Sequence, residues 1–356
     1  MTKQYSGLAQ SDSEDETPTE GGLQERLTEL SQRATRRGRE QSAGEESPPQ
    51  SAPKARPNRG RPSNSVVEDA QLDLLRLEQE GRVTHMPLRP ESEYPSLLTR
   101  IPIFLPGSPR KQQDLLDSDN AIPFETSWGS GRKHGPPLTV YDEDTLIALF
   151  RLRKSRLTGR PEDMPVPVAK LFARQNAELV DVHITQCMLT DIQRQCGGSC
   201  GGRNLNARLK SVKRLAAQVI EFERASVSDT SRCGTSVKLM EVVWNSYHDN
   251  ALIYIQFHPS VAHWLEQEYT YINWSIRKQL TNTGKAIHRF LASQPKQYQI
   301  SIKKLSAVIG YQRDTSEFLR DIRKTMARLV ELGWVDAWEI EGNGRRTPYK
   351  LVIERT

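Results

Sequence analysis

The chain has 356 residues with 50 Lys and Arg against 44 Asp and Glu, a formal net charge of +6, and at about 100 to 200 residues per domain it has room for two domains and a tail. Hydrophobic residues make up 36%, and no apolar run approaches the ~18 residues of a membrane-spanning helix, which excludes a helical membrane protein. The first residues, with Asp12, Glu14, Asp15, Glu16 and Glu20 against Lys3, have the wrong charge for an export signal, so a cytoplasmic protein is expected.

No aromatic residue lies between Tyr5 and Tyr94. A stretch this rich in Ser, Pro, Glu and Arg buries too little apolar surface to offset ordering, so residues 1–93 are expected to be disordered. Within it an acidic head precedes a basic segment from Arg33 to Arg61, a pattern that suits a solvated tail or a loose DNA tether. Val66 to Glu80 alone has the spacing of a short amphipathic helix.

Residues 94–270 are read as a first domain and 271–356 as a second, because one supersecondary order occurs twice. In the first copy Leu138 to Tyr141 reads as a strand. Asp142, Glu143, Asp144 and Thr145 then open a helix whose apolar stripe is Leu146, Leu149, Phe150 and Leu157. A second helix is predicted over Ile184 to Gln195, and the Gly/Cys run from Gly197 to Gly202 ends it. A third follows with the stripe Leu205, Leu209, Val212, Ala216 and Val219. Val237 to Val243 and Leu252 to Phe257 read as a hairpin. In the second copy a helix runs from Asn273 to Ser293 and another from Ile302 to Ile309. Gly310 supplies the turn, and Asp314 with Glu317 forms a capping box for a third helix whose inward stripe is Phe318, Ile322, Met326 and Leu329. Trp334 to Glu339 and Tyr349 to Ile353 are strands around a turn-rich tip. Helix, helix, turn, helix and hairpin is the order of a winged helix. The expected fold is therefore α+β and mainly helical, with two tandem winged-helix domains behind a long disordered N-terminal region.

The strongest chemical signal is a charge void. From Tyr269 to Arg313 there is no acid, while Arg277, Lys278, Lys285, Arg289, Lys296, Lys303, Lys304 and Arg313 all occur. On the next helix Arg320, Lys324 and Arg328 fall at i, i+4 and i+8 opposite the apolar stripe, with Arg323 and Ser316 beside them, which is the make-up of a helix that reads the major groove. Lys285, Lys303, Lys304 and Arg313 suit phosphates, and Arg345 and Arg346 lie at the wing tip. Ile192 to Ile220 is a second acid-free stretch, with Arg194, Arg203, Arg208, Lys210, Lys213 and Arg214. It reads equally as a DNA face or as a dimerisation surface.

Enzyme signatures are missing. Gly284-Lys285 lacks the rest of a phosphate-binding loop, and no paired histidines suit a metal-dependent nicking site. Asp142, Glu143 and Asp144 read as an acidic first turn in preference to a magnesium site. Cys187, Cys196, Cys200 and Cys233 lack the paired spacing of a zinc site and read as free thiols. The chain is expected to be a non-enzyme without cofactor or metal.

With these residues in view the chain resembles the plasmid replication initiators of the TrfA and RepA type. The resemblance covers roughly residues 100–356. It rests on Ile101 to Phe104 (IPIF), Phe124 to Gly129 (FETSWG), Leu138 to Leu149 (LTVYDEDTLIAL) and Arg277 to Leu291 (RKQLTNTGKAIHRFL). It implies a protein that binds direct repeats (iterons) at an origin, opens nearby AT-rich DNA and helps recruit the host initiator and helicase. It also implies that the second winged helix is the main reader and that the first shares DNA contact with self-association. Gln71, Leu72, Asp73, Leu74 and Leu75 look like the pentapeptide that docks on a bacterial sliding clamp; a plain helix stripe of Leu72, Leu75 and Leu77 explains the same residues. A winged-helix repressor on an inverted repeat is the alternative function.

Overall fold

A computed structural model describes residues 65–85, 92–107, 122–126, 129–153, 155–159, 180–225, 232–244, 251–344 and 346–355. All of them belong to one unit, Pro62–Thr356. The acidic head, the basic segment from Arg33 to Arg61, Trp128, the predicted hairpin tip at 245–250 and Arg345 lie outside the described residues.

Order begins earlier in the chain than Tyr94. The first helix, α1 (Ser65–Gln79), is followed by β1 (Val83–His85) and β2 (Ser92–Pro95). A lone helix of this length is marginal in water, so its order comes from docking. Leu77 is fully buried against Val182 and Ile184, and Leu74 packs there and against Val243 and Tyr254, while Leu72 and Leu75 are 64% and 46% exposed. The inward face is thus Leu74 and Leu77, not the stripe of Leu72, Leu75 and Leu77. Leu77→Ala is expected to cost about 2 to 5 kcal/mol and Leu72→Ala less than about 0.5 kcal/mol, measured by chemical denaturation. Equal costs would contradict this docking.

After β2 come α2 (Ser96–Thr99), β3 (Phe104–Leu105), β4 (Ile122–Thr126), β5 (Gly129–His134) and β6 (Leu138–Thr139). The next helix, α3 (Val140–Leu152), starts before Asp142. Thr139 is its N-cap, its Oγ1 accepting from the Tyr141 amide at 3.2 Å, and Asp142 at the third position accepts from the Thr139 amide at 2.9 Å. Asp142 is therefore the reaching partner of a capping box rather than the cap. Leu157 leaves the predicted stripe and sits in β7 (Ser155–Gly159).

Two further boundaries differ from the sequence expectation. Ile184 to Met188 is not helical but ends β8 (Val180–Met188), and α4 (Leu189–Cys196) begins only after it. Val180, Val182 and Ile184 alternate with polar residues, and this period of two prevails because β8 is paired on both sides. Then α5 (Gly202–Ala216) stops before Val219, which opens β9 (Val219–Ala225); β10 (Arg232–Lys238), β11 (Met240–Trp244), β12 (Leu252–Phe257), α6 (Pro259–Gln267) and β13 (Tyr269–Ile272) complete this part. The strands form a five-stranded sheet β1-β7-β8-β12-β11, a four-stranded sheet β10-β9-β5-β4 and two small pairs, β13-β2 and β3-β6. The predicted hairpin is the β11–β12 pair, Trp244 opposite Ile253, but Val237 and Lys238 of its predicted first strand belong to β10 and pair with β9 instead.

The last part runs α7 (Trp274–Arg277), α8 (Asn282–Ala292), β14 (Gln297–Ser301), α9 (Ile302–Ile309), α10 (Thr315–Glu331), β15 (Ala337–Glu341) and β16 (Lys350–Glu354). The single helix expected over Asn273 to Ser293 is split because Thr281 starts a new one, its Oγ1 accepting from the Gly284 amide at 3.1 Å. Ile302 to Ile309 is helical as expected, and Gly310 has φ of 69°. A Cβ there would lie 2.4 Å from Leu105 Cδ2, so glycine serves both the left-handed turn and the close approach. Asp314 is the N-cap of α10 but makes no side-chain cap bond; Glu317 instead lies 3.6 Å from Arg313. Strands β14, β16 and β15 form one antiparallel sheet.

Two large apolar clusters hold the unit together. One is built from residues between Tyr94 and Trp274, and the other from Ile276 to Ile353 with Val140 added from the start of α3. The division falls between Trp274 and Ile276.

Candidate nucleic-acid interface

Helix α10 has two chemically distinct faces. Phe318, Leu319, Ile322, Thr325, Met326 and Leu329 are buried, whereas Ser316, Arg320, Arg323, Lys324 and Arg328 are exposed. Among the described residues Arg320, Arg323 and Lys324 make no ion pair; Arg328 donates to Glu331 and to Gln279 Oε1, each at 2.8 Å. One turn upstream, Lys303 and Lys304 are exposed at the start of α9, whose N-cap Ser301 accepts from the Lys304 amide at 3.2 Å. Arg313 is exposed between the two helices. At the hairpin tip Arg346 is exposed, and its amide donates to Asn343 Oδ1 at 2.9 Å, which fixes the tip's backbone. These cations are exposed on neighbouring elements, and Arg320, Arg323 and Lys324 among them make no ion pair among the described residues, the condition for contacting phosphates and base edges.

Other members of the charge void are internal. Arg277 is fully buried and donates to Glu143 and Asp144, each at 2.8 Å; Lys285 Nζ lies 2.6 Å from Asp144, and buried Arg289 donates to Glu143 at 3.2 Å. Burial works against the Arg277 charge, but Glu143 and Asp144 together hold its pKa above the ordinary arginine value. The acids absent from 269–313 are thus supplied by the start of α3, some 130 residues earlier by the separation of the Arg277 pairs. Lys285 is therefore placed in an ion network between the two clusters, not on an open face. The same network pairs Glu143 and Asp144, two of the three carboxylates that a magnesium site would need.

In the first domain the six-residue basic run divides the same way. Arg208 is 3% exposed, its guanidinium 4.1 Å from the Tyr141 ring and donating to Thr145 Oγ1 at 2.7 Å and Gln193 Oε1 at 3.1 Å. Arg214 donates to Asp142 Oδ1 at 3.1 Å. Both serve the packing of α5 on α3. Arg203 and Lys210 are exposed on α5, and so is Lys213, whose ammonium sits 4.3 Å above the Trp244 ring. Cys196 and Cys200 are free thiols; burial pushes the Cys196 thiol up to about 12, and it donates to the Asp144 carbonyl at 3.4 Å. Among the described residues no group of His, Cys, Asp and Glu could hold a metal, and no helix is long and apolar enough to cross a membrane.

Beneath α10 lies a buried histidine. His288 has no exposed surface, its ring is 4.5 Å from that of Trp334, and neither nitrogen has a partner among the described residues. Burial, with Arg277 and Arg355 nearby, lowers its pKa to about 3. The unfolded chain would take up a proton near the ordinary value of about 6.5. Stability is therefore present above about 6.5 and lost as pH falls toward 3, at up to about 1.4 kcal/mol per pH unit for this residue. Urea titrations across that window should show this slope reduced in His288→Gln; an unchanged slope would remove the assignment.

No protein-family model and no curated protein matches the chain. Among solved structures it shares the α+β fold of a two-domain fragment. That fragment is domains 2 and 3 of RctB, whose selenomethionine crystal structure is similar over 73% of this chain and 98% of that one, with 14% identity and a TM-score of 0.50. A second crystal structure of RctB domains 2–3 covers 73% and 97%, at 12% identity and a TM-score of 0.46.

Proposed function

We propose that the chain is a non-enzymatic, plasmid-type replication initiator that binds direct repeats of duplex DNA at an origin through two winged-helix domains. The observation that carries this reading is α10: a helix with a complete apolar face, a cation-rich exposed face, and a turn, helix and hairpin around it in winged-helix order. In this reading Arg320, Arg323, Lys324 and Arg328 face the major groove, Lys303, Lys304 and Arg313 contact phosphates, and the wing adds Arg346 with its neighbour Arg345. Arg203, Lys210 and Lys213 are the cations of the first domain that remain open to DNA or to a second copy of the chain. The resemblance of residues 100–356 to plasmid initiators supports the reading, and so does the fold.

Sliding-clamp docking at Gln71 to Leu75, host initiator and helicase recruitment, and origin opening belong to the same proposal. Leu72 and Leu75 are the exposed apolar anchors on α1, whereas Leu74 already packs on the protein body.

Salt dependence tests the assignment of cations. Removing a phosphate contact lowers the slope of log K against log salt by about one. Lys304→Ala should do so, weakening all sequences alike. Lys285→Ala should leave the slope unchanged, because its ammonium is held by Asp144. The opposite pattern would place the DNA elsewhere.

A further inference from the structure

Between the two halves of the unit lies a cleft of about 580 Å³ that the DNA reading does not use. Among the described residues its charged lining is one-signed: Arg151 from α3, Arg194 from α4 and Lys278 after α7 are there, with no Asp or Glu among them. Tyr271, Trp274 and Trp334 place three aromatic rings on the same walls. That volume falls within the roughly 300 to 1,000 Å³ of small-ligand sites.

The walls are fixed rather than loose. Arg151 donates to Ser92 Oγ at 2.8 Å and to Gln195 Oε1 at 3.2 Å, and its guanidinium lies 6.0 Å from the Trp274 ring. The Trp274 indole donates to the Gln195 carbonyl at 3.0 Å. Trp334 is held between His288 at 4.5 Å and the Arg355 guanidinium at 4.9 Å. By contrast Lys278 is exposed, and Arg194 is 69% exposed with only Asp191 3.3 Å away. An aromatic wall with exposed cations at the rim suits a ligand that has a flat ring at one end and several negative charges at the other.

We infer that this cleft binds a nucleoside di- or triphosphate, its base against the aromatic wall and its phosphates at Arg194, Lys278 and Arg151. A bare phosphate leaves the rings unused, and an apolar ligand makes no use of the exposed Lys278 and Arg194 side chains. Because the lining comes from both halves, occupancy couples ligand binding to their mutual placement. The inference does not depend on the DNA reading, since none of these residues lies on the exposed face of α10.

The test is a titration of the full chain with a fluorescent methylanthraniloyl derivative of ADP, competed by unlabelled ADP, by pyrophosphate and by a short oligothymidylate. The wild type should bind saturably and be displaced by ADP far more readily than by pyrophosphate. Arg194→Ala and Lys278→Ala, both at exposed side chains, should each weaken binding about tenfold, since a charge-assisted contact contributes about 1.5 kcal/mol or more, and Lys304→Ala should leave it unchanged. Circular dichroism identifies any variant that fails to fold, and a further variant, Lys278→Glu, then carries the same comparison. Absence of saturable binding, wild-type affinity in the cleft variants, or pyrophosphate competing as well as ADP would each overturn the inference. Oligothymidylate displacing the probe more tightly than ADP would also overturn it, assigning the cleft to a nucleic-acid strand.

Discussion

Glu143→Gln is expected to lower the stability of the folded unit by about 3 to 5 kcal/mol. The carboxylate has no exposed surface and accepts from Arg277 at 2.8 Å and Arg289 at 3.2 Å, both fully buried themselves. A neutral amide leaves two guanidiniums in a low-dielectric interior with Asp144 and the Phe104 and Lys285 carbonyls, among the described residues, to compensate, and breaking one partner of a buried pair carries a cost of that order. The ion network joins α3 to α7 and α8, so the loss should appear in the whole unit as a lower urea midpoint. A double-mutant cycle with Arg289→Met separates pairing from simple burial, because residues in one network couple by about 0.5 to 3 kcal/mol. Additive losses, or a loss below about 0.5 kcal/mol in Glu143→Gln alone, would contradict the role given to this carboxylate.

The second large effect concerns specificity. Arg320→Ala and Arg323→Ala should each cost about 1 to 3 kcal/mol on the preferred repeat and much less on unrelated duplex, because an arginine pairing with a base edge discriminates by that amount. Folding should be untouched, since both side chains point away from the buried Phe318, Ile322 and Met326 face. Competition titrations with specific and unrelated duplex give the ratio directly. A uniform loss on both would make these residues phosphate contacts, and no loss would remove α10 as the reader.

The second domain was more legible in the sequence than the first, for a physical reason. Phe318, Ile322, Met326 and Leu329 recur at helical spacing on a helix that packs one face only, and Gly310 marks a turn that needs a positive φ. In the first domain β8 is central in a sheet, and its alternation was overridden by a helical reading of Ile184, Met188 and Ile192. Val219 has the right spacing to continue α5, yet pairs with Lys238 and His134 in a sheet. Strand partners this far apart leave little trace in local periodicity. The charge void was visible, but its division was not: nothing local in Lys285 distinguishes it from Lys304. What separates them is Asp144, close in space and 141 residues away in the chain. Three consecutive acids followed by an apolar run was the available signal for a buried counter-charge.

The most direct test of the central claim is a nuclease footprint of the full chain on the DNA flanking its own gene, at two salt concentrations. The account predicts protection of a tandem array of direct repeats that weakens steeply as salt rises. A single protected palindrome would make the chain a repressor instead, and protection that is absent or indifferent to salt would contradict the DNA-binding function itself.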